Sequence, residues 1–420
     1  MSVGAPNGVS GRLAFDRWFR YPAGFSQTTL IAAFEVAGVG NQLVVDPFAG
    51  SASAGTRAVE RDATYVGIEA HPLIAELGQL KFARPGEPAE LLDAAAEAAD
   101  RARPGATGGE ASLVQRCFDE ATLAWLVGLR EYIQDQPDEP WNTHLKWALL
   151  GTLRDVASVK VGWPYQRPGL EREAPHGDPK ARFLARVQMM VVDLTAAPES
   201  GSSRVVSGDS TKVAVWERAM QGRLAAGCVT SPPYLNNFDY ADATRLEVYF
   251  WRHATTWAEL CSEIRTDMLI ATTQQTRVDI AEKATERLAV YPKVASEVSE
   301  CVEKLAAERA HRGRGKEYDR VLPAYFVGVA RVLSCMHDHL EPGAKCAWII
   351  GDSAPYGIYV DTPRLVACLA TELGYEPGAD VVLRGRGERW RMNGTRHQVA
   401  LSERLVSFSR PAGTGSRSKM

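Results

Sequence analysis

A buried strand that runs straight into two prolines constrains this chain more than any other stretch. Ala225-Ala226-Gly227-Cys228-Val229 is an apolar run of strand length, and Thr230-Ser231-Pro232-Pro233-Tyr234 follows it directly. Each proline fixes φ and lacks an N–H, so the strand must stop and the carbonyl oxygens between them stay free to accept from a ligand. What results is a rigid ledge at a strand's carboxyl end, the place where open α/β sheets bind ligands. The plain alternative is a Ser-Pro-Pro turn with a packed tyrosine.

Other apolar runs end in polar or acidic residues in the same way. Gln42-Leu43-Val44-Val45-Asp46-Pro47-Phe48-Ala49-Gly50-Ser51-Ala52-Ser53-Ala54-Gly55 reads as strand, Gly-rich turn and helix, the shape of a nucleotide-binding loop. About 20 residues on, Thr64-Tyr65-Val66-Gly67-Ile68-Glu69 is a second strand ending in an acid, which at this spacing accepts from ribose hydroxyls. Ser203-Arg204-Val205-Val206-Ser207-Gly208-Asp209-Ser210 places an acid after a third strand. Ala344-Lys345-Cys346-Ala347-Trp348-Ile349-Ile350-Gly351-Asp352-Ser353 reads as a fifth strand with a polar end.

Taken together, these residues resemble the S-adenosylmethionine-dependent amino-methyltransferases of DNA. Ser231-Pro232-Pro233-Tyr234 matches their motif IV, (Asp/Asn/Ser)-Pro-Pro-(Tyr/Phe/Trp), and Asp46-Pro47-Phe48-Ala49-Gly50-Ser51 matches motif I. Glu69-Ala70-His71-Pro72 is similar to motif II, Asp209 stands as in motif III, and Pro22 and Phe25 fall at the matching positions of motif X. The resemblance implies a cofactor, S-adenosylmethionine, held by Pro22, Phe25, Asp46, Pro47, Phe48, Gly50, Glu69, Asp209 and Thr230. It implies catalysis at Ser231, Pro232, Pro233 and Tyr234. An exocyclic base amine has its lone pair delocalised into the ring, and acceptors on its protons favour the tetrahedral nitrogen of the transition state. Tyr234 would stack on a base flipped out of the duplex, a contact worth about 1–3 kcal/mol. The departure is Ala52, which stands where the family has a second glycine. Its methyl would crowd the cofactor, and Gly55 is expected to take part of the glycine's role.

The implied fold is α/β: a Rossmann-like, seven-stranded, mostly parallel sheet of the class I methyltransferase type, with an antiparallel final strand and helical insertions. Motif I before motif IV excludes the permuted arrangement. The methyltransferase domain divides into a cofactor-binding part (15–72), a catalytic part (204–252) and a closing part (319–410), with a tail at 411–420. Residues 73–203 form an inserted, mainly helical subdomain with helices near 88–102, 118–134, 142–158 and 179–197, since a crossover between neighbouring strands needs only one helix. Its loop Gly162-Trp163-Pro164-Tyr165-Gln166-Arg167-Pro168 suits either target recognition or packing on its own helices. A second insertion, 253–318, carries a charge-laced helix at 278–310 and the basic loop Arg309-Ala310-His311-Arg312-Gly313-Arg314-Gly315-Lys316.

Composition bounds the partners. At 420 residues with 45% hydrophobic and 24% charged residues, the chain suits a globular protein with a full core. Its net charge of −3 provides no general attraction for nucleic acid, so contacts with it must be local. The best local candidate is the stretch from Arg384 to His397, with five arginines against one acid and including Arg384, Arg386, Arg389, Trp390 and Arg391. Asn236 and Asn237 either hydrogen-bond the flipped base or cap a helix around 243–252. Seven widely spaced cysteines argue for a reducing cytosol and against zinc. No membrane span or signal peptide is evident, so the expected location is cytoplasmic, with no metal.

The expected reaction is therefore site-specific methylation of double-stranded DNA at cytosine N4, because Ser at the head of motif IV leans that way within the family. The reading leaves room for a restriction or defence partner. Adenine N6, an RNA amine and a non-catalytic cofactor- or DNA-binding module stay open as alternatives.

Overall fold

Period-two alternation sorts the strand residues onto two buried faces, and that alternation builds the sheet. The computed structural model describes residues 14–21, 26–162, 167–171, 177–236, 239–273, 275, 278–312, 315–386 and 400–413. Its strands are β1 (Leu43–Asp46), β2 (Thr64–Glu69), β3 (Val159–Lys160), β4 (Arg167–Glu171), β5 (Arg204–Ser207), β6 (Ala225–Thr230), β7 (Leu340–Gly351), β8 (Glu376–Arg386) and β9 (Leu401–Ser409). Seven of them form one sheet in the order β5-β2-β1-β6-β7-β9-β8. β9 runs antiparallel to both of its neighbours, whereas the pairs from β5 through β7 are parallel. The fold is α/β, with the mostly parallel seven-stranded sheet of a class I methyltransferase fold.

The helices are α1 (Gln27–Ala37), α2 (Ser53–Val59), α3 (Pro72–Leu80), α4 (Glu90–Arg101), α5 (Ser112–Gln115), α6 (Glu120–Gln134), α7 (Asn142–Val156), α8 (Pro179–Ala196) and α9 (Val213–Met220). They continue with α10 (Tyr240–Ala243), α11 (Arg245–Phe250), α12 (Trp257–Glu259), α13 (Val278–Leu288), α14 (Pro292–His311), α15 (Tyr318–His339) and α16 (Thr362–Glu372). On one face of the sheet, Val44, Tyr65, Val229, Ile349 and Leu405 pack with Leu30 and Phe34 of α1 and Ala54 of α2. Their strand neighbours Val45, Val66, Cys228, Trp348 and Val406 point the other way, against Trp216 of α9 and the apolar face of α15.

Residues 73–203 build a third core. Helices α3 to α8 gather Leu91, Leu126, Trp147, Leu150 and Phe183, and the aromatic lead-in Phe15, Trp18 and Phe19 packs into the same cluster. The Asp193 carboxylate of α8 accepts from the Phe15 backbone N–H at 2.9 Å and from Trp18 Nε1 at 2.8 Å, and pairs with Arg17. The mainly helical insertion also carries a short antiparallel ribbon, formed by β3 and β4. Backbone pairing, which composition does not reveal, decides that segment.

The run at 278–310 is two helices, α13 and α14, because Pro292 starts a new helix after Tyr291. Leu288, Val294, Val298 and Leu305 join the core beneath the sheet, so this insertion packs on the seven-stranded sheet domain.

Candidate functional site

The order in which strands are added reverses between the parallel neighbours β1 and β6, and the carboxyl ends there open onto a cleft. The cleft encloses about 500 Å³ including the solvent at its mouth. Its walls are Tyr21, Pro47, Phe48, Gly50, Glu69, Ala70, Ser210, Ser231, Pro233, Tyr240, Asp267, Met268 and Leu269. Residues from the ends of β1, β2, β5 and β6 therefore meet at one place.

The turn after β1 is built by its own backbone. Phe48 N–H donates to Asp46 Oδ1 at 3.0 Å, and Ala49 N–H donates to the Ile68 carbonyl of β2 at 2.9 Å. Gly50 has φ +51°, and a Cβ there would lie 3.4 Å from the Tyr21 ring. Ala52 also takes a left-handed conformation (φ 59°, ψ 38°) as the N-cap of α2 and is fully buried. An alanine in that region carries a strain of roughly 1–2 kcal/mol, so the turn keeps the glycine-type geometry without the glycine. Gly55 does not take over any part of that role. It lies inside α2, and a Cβ there would sit 2.6 Å from the Tyr65 ring, so its task is close packing of helix on strand.

Glu69 fastens this turn to β2. Oε2 accepts from Gly50 N–H at 2.7 Å and Oε1 from His71 N–H at 2.8 Å, so each oxygen keeps a lone pair for a ligand. Burial pushes its carboxyl up to about 7, against the opposing pull of the N–H groups of His71 and Gly50. Asp46 lies behind the wall, 1% exposed. Its carboxylate accepts from Phe48 N–H, from Thr230 Oγ1 and, at 3.0 Å, from Tyr65 OH. Burial raises Asp46 to about 6, with those three donors opposing. Asp46 and Thr230 thus join the ends of β1 and β6, one step back from the cleft.

Asp209 is used locally as well. It accepts from Thr211 N–H at 2.8 Å and lies 3.7 Å from Lys212 Nζ, while its neighbour Ser210 lines the cleft.

At the β6 ledge, Ser231 Oγ donates to the Ile349 carbonyl of β7 at 2.9 Å. With its only proton committed, the oxygen presents lone pairs and can act on a ligand only as an acceptor. Pro232 is buried and Pro233 lines the cleft. Tyr234 OH donates to Glu403 Oε1 of β9 at 2.7 Å, and the Arg386 guanidinium lies 4.8 Å from the Tyr234 ring centroid.

The two described arginines expected to face nucleic acid therefore have partners inside the protein. Arg384 donates to Glu403 at 2.6 Å and 3.1 Å, and Arg386 donates to the Asp352 carbonyl at 2.8 Å. Pro22, Phe25, Asn237, Arg389, Trp390 and Arg391 lie outside the described residues, as do 163–166 of the insertion loop and 313–314 of the basic loop.

Asn236 is not the helix cap. The helix expected around 243–252 is α11, whose N-cap position is Thr244, and the short α10 before it is capped by Asp239, which accepts from Ala241 N–H and Asp242 N–H. Asn236 has φ 56°, and neither polar atom of its buried side chain has a hydrogen-bond partner among the described residues.

The cleft also contains residues that the sequence did not mark. Tyr21 stands one position before Pro22, and Ser210 one after Asp209, so proximity to a motif was the available signal. Tyr240, its ring 6.0 Å from that of Tyr21, and the trio Asp267-Met268-Leu269 carry no motif at all.

No family model matches the chain, and no curated protein does. Among solved structures, two of the rRNA methyltransferase aviRa from Streptomyces viridochromogenes align over 97% of this chain and 95% of theirs, at 10% identity with TM-scores of 0.32 and 0.31. A likeness at that level carries no argument about chemistry or substrate, so the functional reading rests on the cleft.

Proposed function

We propose that the chain is an S-adenosylmethionine-dependent methyltransferase that acts on an exocyclic base amine, cytosine N4 of double-stranded DNA, by direct transfer to a flipped base. The observation that carries this reading is the hydrogen bond from Ser231 Oγ to the Ile349 carbonyl, at the head of a Ser-Pro-Pro-Tyr ledge beside the cleft. It turns a hydroxyl that could donate or accept into a fixed acceptor. Ser231 Oγ and the Pro232 carbonyl would each take one proton of the amine, drawing its nitrogen toward the tetrahedral geometry in which the lone pair is available. The serine is too weak a base to keep a proton, so the proton released on transfer goes to solvent. Tyr234 holds the base by stacking. One ring face already carries Arg386, so the base takes the other face or displaces the guanidinium.

The cleft residues fit the cofactor. Glu69 keeps acceptor capacity for ribose hydroxyls, Gly50 lets the backbone approach, and Phe48, Met268 and Leu269 supply apolar wall. When bound, S-adenosylmethionine supplies an electrophilic methyl group.

Affinity for S-adenosylmethionine should rise as pH increases from about 6 to about 8 and then level off, because the ionised Glu69 is the form that accepts from both hydroxyls. The Glu69→Gln variant should bind more weakly and lose that pH dependence. Calorimetric titration of both proteins across the range checks this, and an unchanged pH profile in Glu69→Gln would remove Glu69 from the cofactor site.

The reading itself is tested by base-resolved methylation mapping of DNA from a methylation-free host that expresses the chain, with Ser231→Ala as control. One cytosine-N4 sequence motif that disappears in the control is the expected result. Adenine marks would correct the base but keep the chemistry. Unmarked DNA from cells that contain folded, cofactor-binding protein would overturn the DNA assignment, and total RNA from the same cells would then be mapped.

A further inference from the structure

The second insertion brings to the cleft an acidic side chain that belongs to none of the matched motifs. After α12 the chain makes a π-helical turn (Leu260–Arg265) and reaches Asp267-Met268-Leu269. This loop is fastened on both sides to the segment that follows the β6 ledge. Before the loop, Arg265 pairs with Asp239 at the cap of α10, and its guanidinium lies 4.6 Å from the Trp257 ring centroid. Beyond it, the Ala271 carbonyl accepts from Asn236 N–H at 2.7 Å, while Gln275 Oε1 accepts from Ala271 N–H at 2.8 Å. Held between these points, Asp267, Met268 and Leu269 form part of the cleft wall.

Asp267 is exposed and has no hydrogen-bond or ion-pair partner among the described residues. Glu69, 8% exposed, belongs to the same wall, and among the described lining residues none is Lys, Arg or His. A carboxylate unpaired in a wall with no cation among its described residues makes the local potential more negative, and a positively charged ligand that displaces the water there feels it most.

We propose that Asp267 is a cofactor-binding residue that reads charge, so that the cleft holds the sulfonium donor S-adenosylmethionine more tightly than its neutral thioether product. The proposal rests on the methyltransferase reading above. As the methyl carbon bonds to the amine nitrogen, its bond to sulfur breaks, the electron pair stays on sulfur and the sulfur's positive charge disappears. The amine sheds its proton to solvent. Asp267 then faces a ligand with one positive charge fewer, which favours exchange of product for fresh donor.

The test is calorimetric titration of the full chain with S-adenosylmethionine and, separately, with S-adenosylhomocysteine, in wild type, Asp267→Asn and Asp267→Glu. Asp267→Asn should weaken the sulfonium ligand by about tenfold and the thioether by less than about twofold, while Asp267→Glu keeps the preference. Added salt should erode the wild-type preference. Equal weakening of both ligands by Asp267→Asn, or no weakening of either, overturns the proposal and leaves the cofactor assignment standing. Failure of wild type to bind either ligand overturns the cofactor assignment itself, and the proposal with it.

Discussion

Replacing Ser231 by alanine is expected to lower methyl transfer by about 10²–10³-fold while leaving the dissociation constant for S-adenosylmethionine within about threefold of wild type. The asymmetry follows from what the hydroxyl touches. Its proton goes to the Ile349 carbonyl, and in the proposed reaction its lone pairs accept from the substrate amine. Loss of an acceptor that matters most in the transition state lowers kcat, whereas the cofactor's proposed contacts lie on β1, β2, the loop after β5 and Asp267–Leu269. The lost hydrogen bond to Ile349 costs about 1 kcal/mol of stability, too little to unfold the protein. Single-turnover methylation and calorimetry on the same preparation check the prediction. Parallel loss of both properties would show that Ser231 shapes the ledge and has no direct part in transfer.

The largest loss of stability is expected far from the cleft, in the first insertion. Arg130 of α6 is completely buried, donates to both oxygens of Glu110 at 2.8 Å and 2.7 Å, and reaches the Phe250 carbonyl at 2.6 Å. Arg252 adds a third bond to Glu110 at 2.7 Å. Burial pushes the Glu110 carboxyl up, but the two guanidinium groups outweigh it and hold it below its ordinary value. Glu110→Gln keeps the shape but leaves the buried Arg130 charge with only the half-exposed Glu131 carboxylate, 3.9 Å away, as a counter-ion, at an expected cost of about 3–5 kcal/mol. Arg252→Ala, on the exposed side of the same carboxylate, should cost less than about 1 kcal/mol. Urea denaturation of the three proteins measures both values. Similar midpoints for wild type and Glu110→Gln would mean that water or a rearrangement reaches Arg130. Because the Glu110 shift is downward, its contribution is present above the unfolded carboxyl value near 4.3 and disappears as pH falls through the folded value.

These two sites differ in how far they could be read from sequence. Ser231 stands out because an apolar run, a hydroxyl and two prolines are contiguous, and that local pattern fixes both the strand and its end. Arg130 and Glu110 are two ordinary charges twenty residues apart, and nothing in their neighbourhoods says that they share a buried site. The same contrast runs through the cleft. Gly50 and Glu69 were placed by a turn and a strand end, whereas Tyr240 carries no signal in its own neighbourhood. Ala52 was read as an obstacle because alanine disfavours the left-handed region. The fold accepts that strain, and the glycine offered in compensation, Gly55, serves packing against Tyr65.

By itself, the sequence determined the features that depend on neighbouring residues. These are the period-two strands, their polar carboxyl ends, the proline stop after β6 and hence the α/β sheet with a cleft at its switch point. Only the tertiary structure decided which groups complete that cleft and which atoms are committed elsewhere. It takes the Ser231 proton to a carbonyl 118 residues away, puts Arg386 over the ring of Tyr234, and brings Asp267 in from an insertion. The physical reason is that backbone dihedrals and hydrophobic periodicity are local quantities. A hydrogen bond, a cation over a ring or an unpaired carboxylate depends on distances between parts of the chain that meet only when the core has packed.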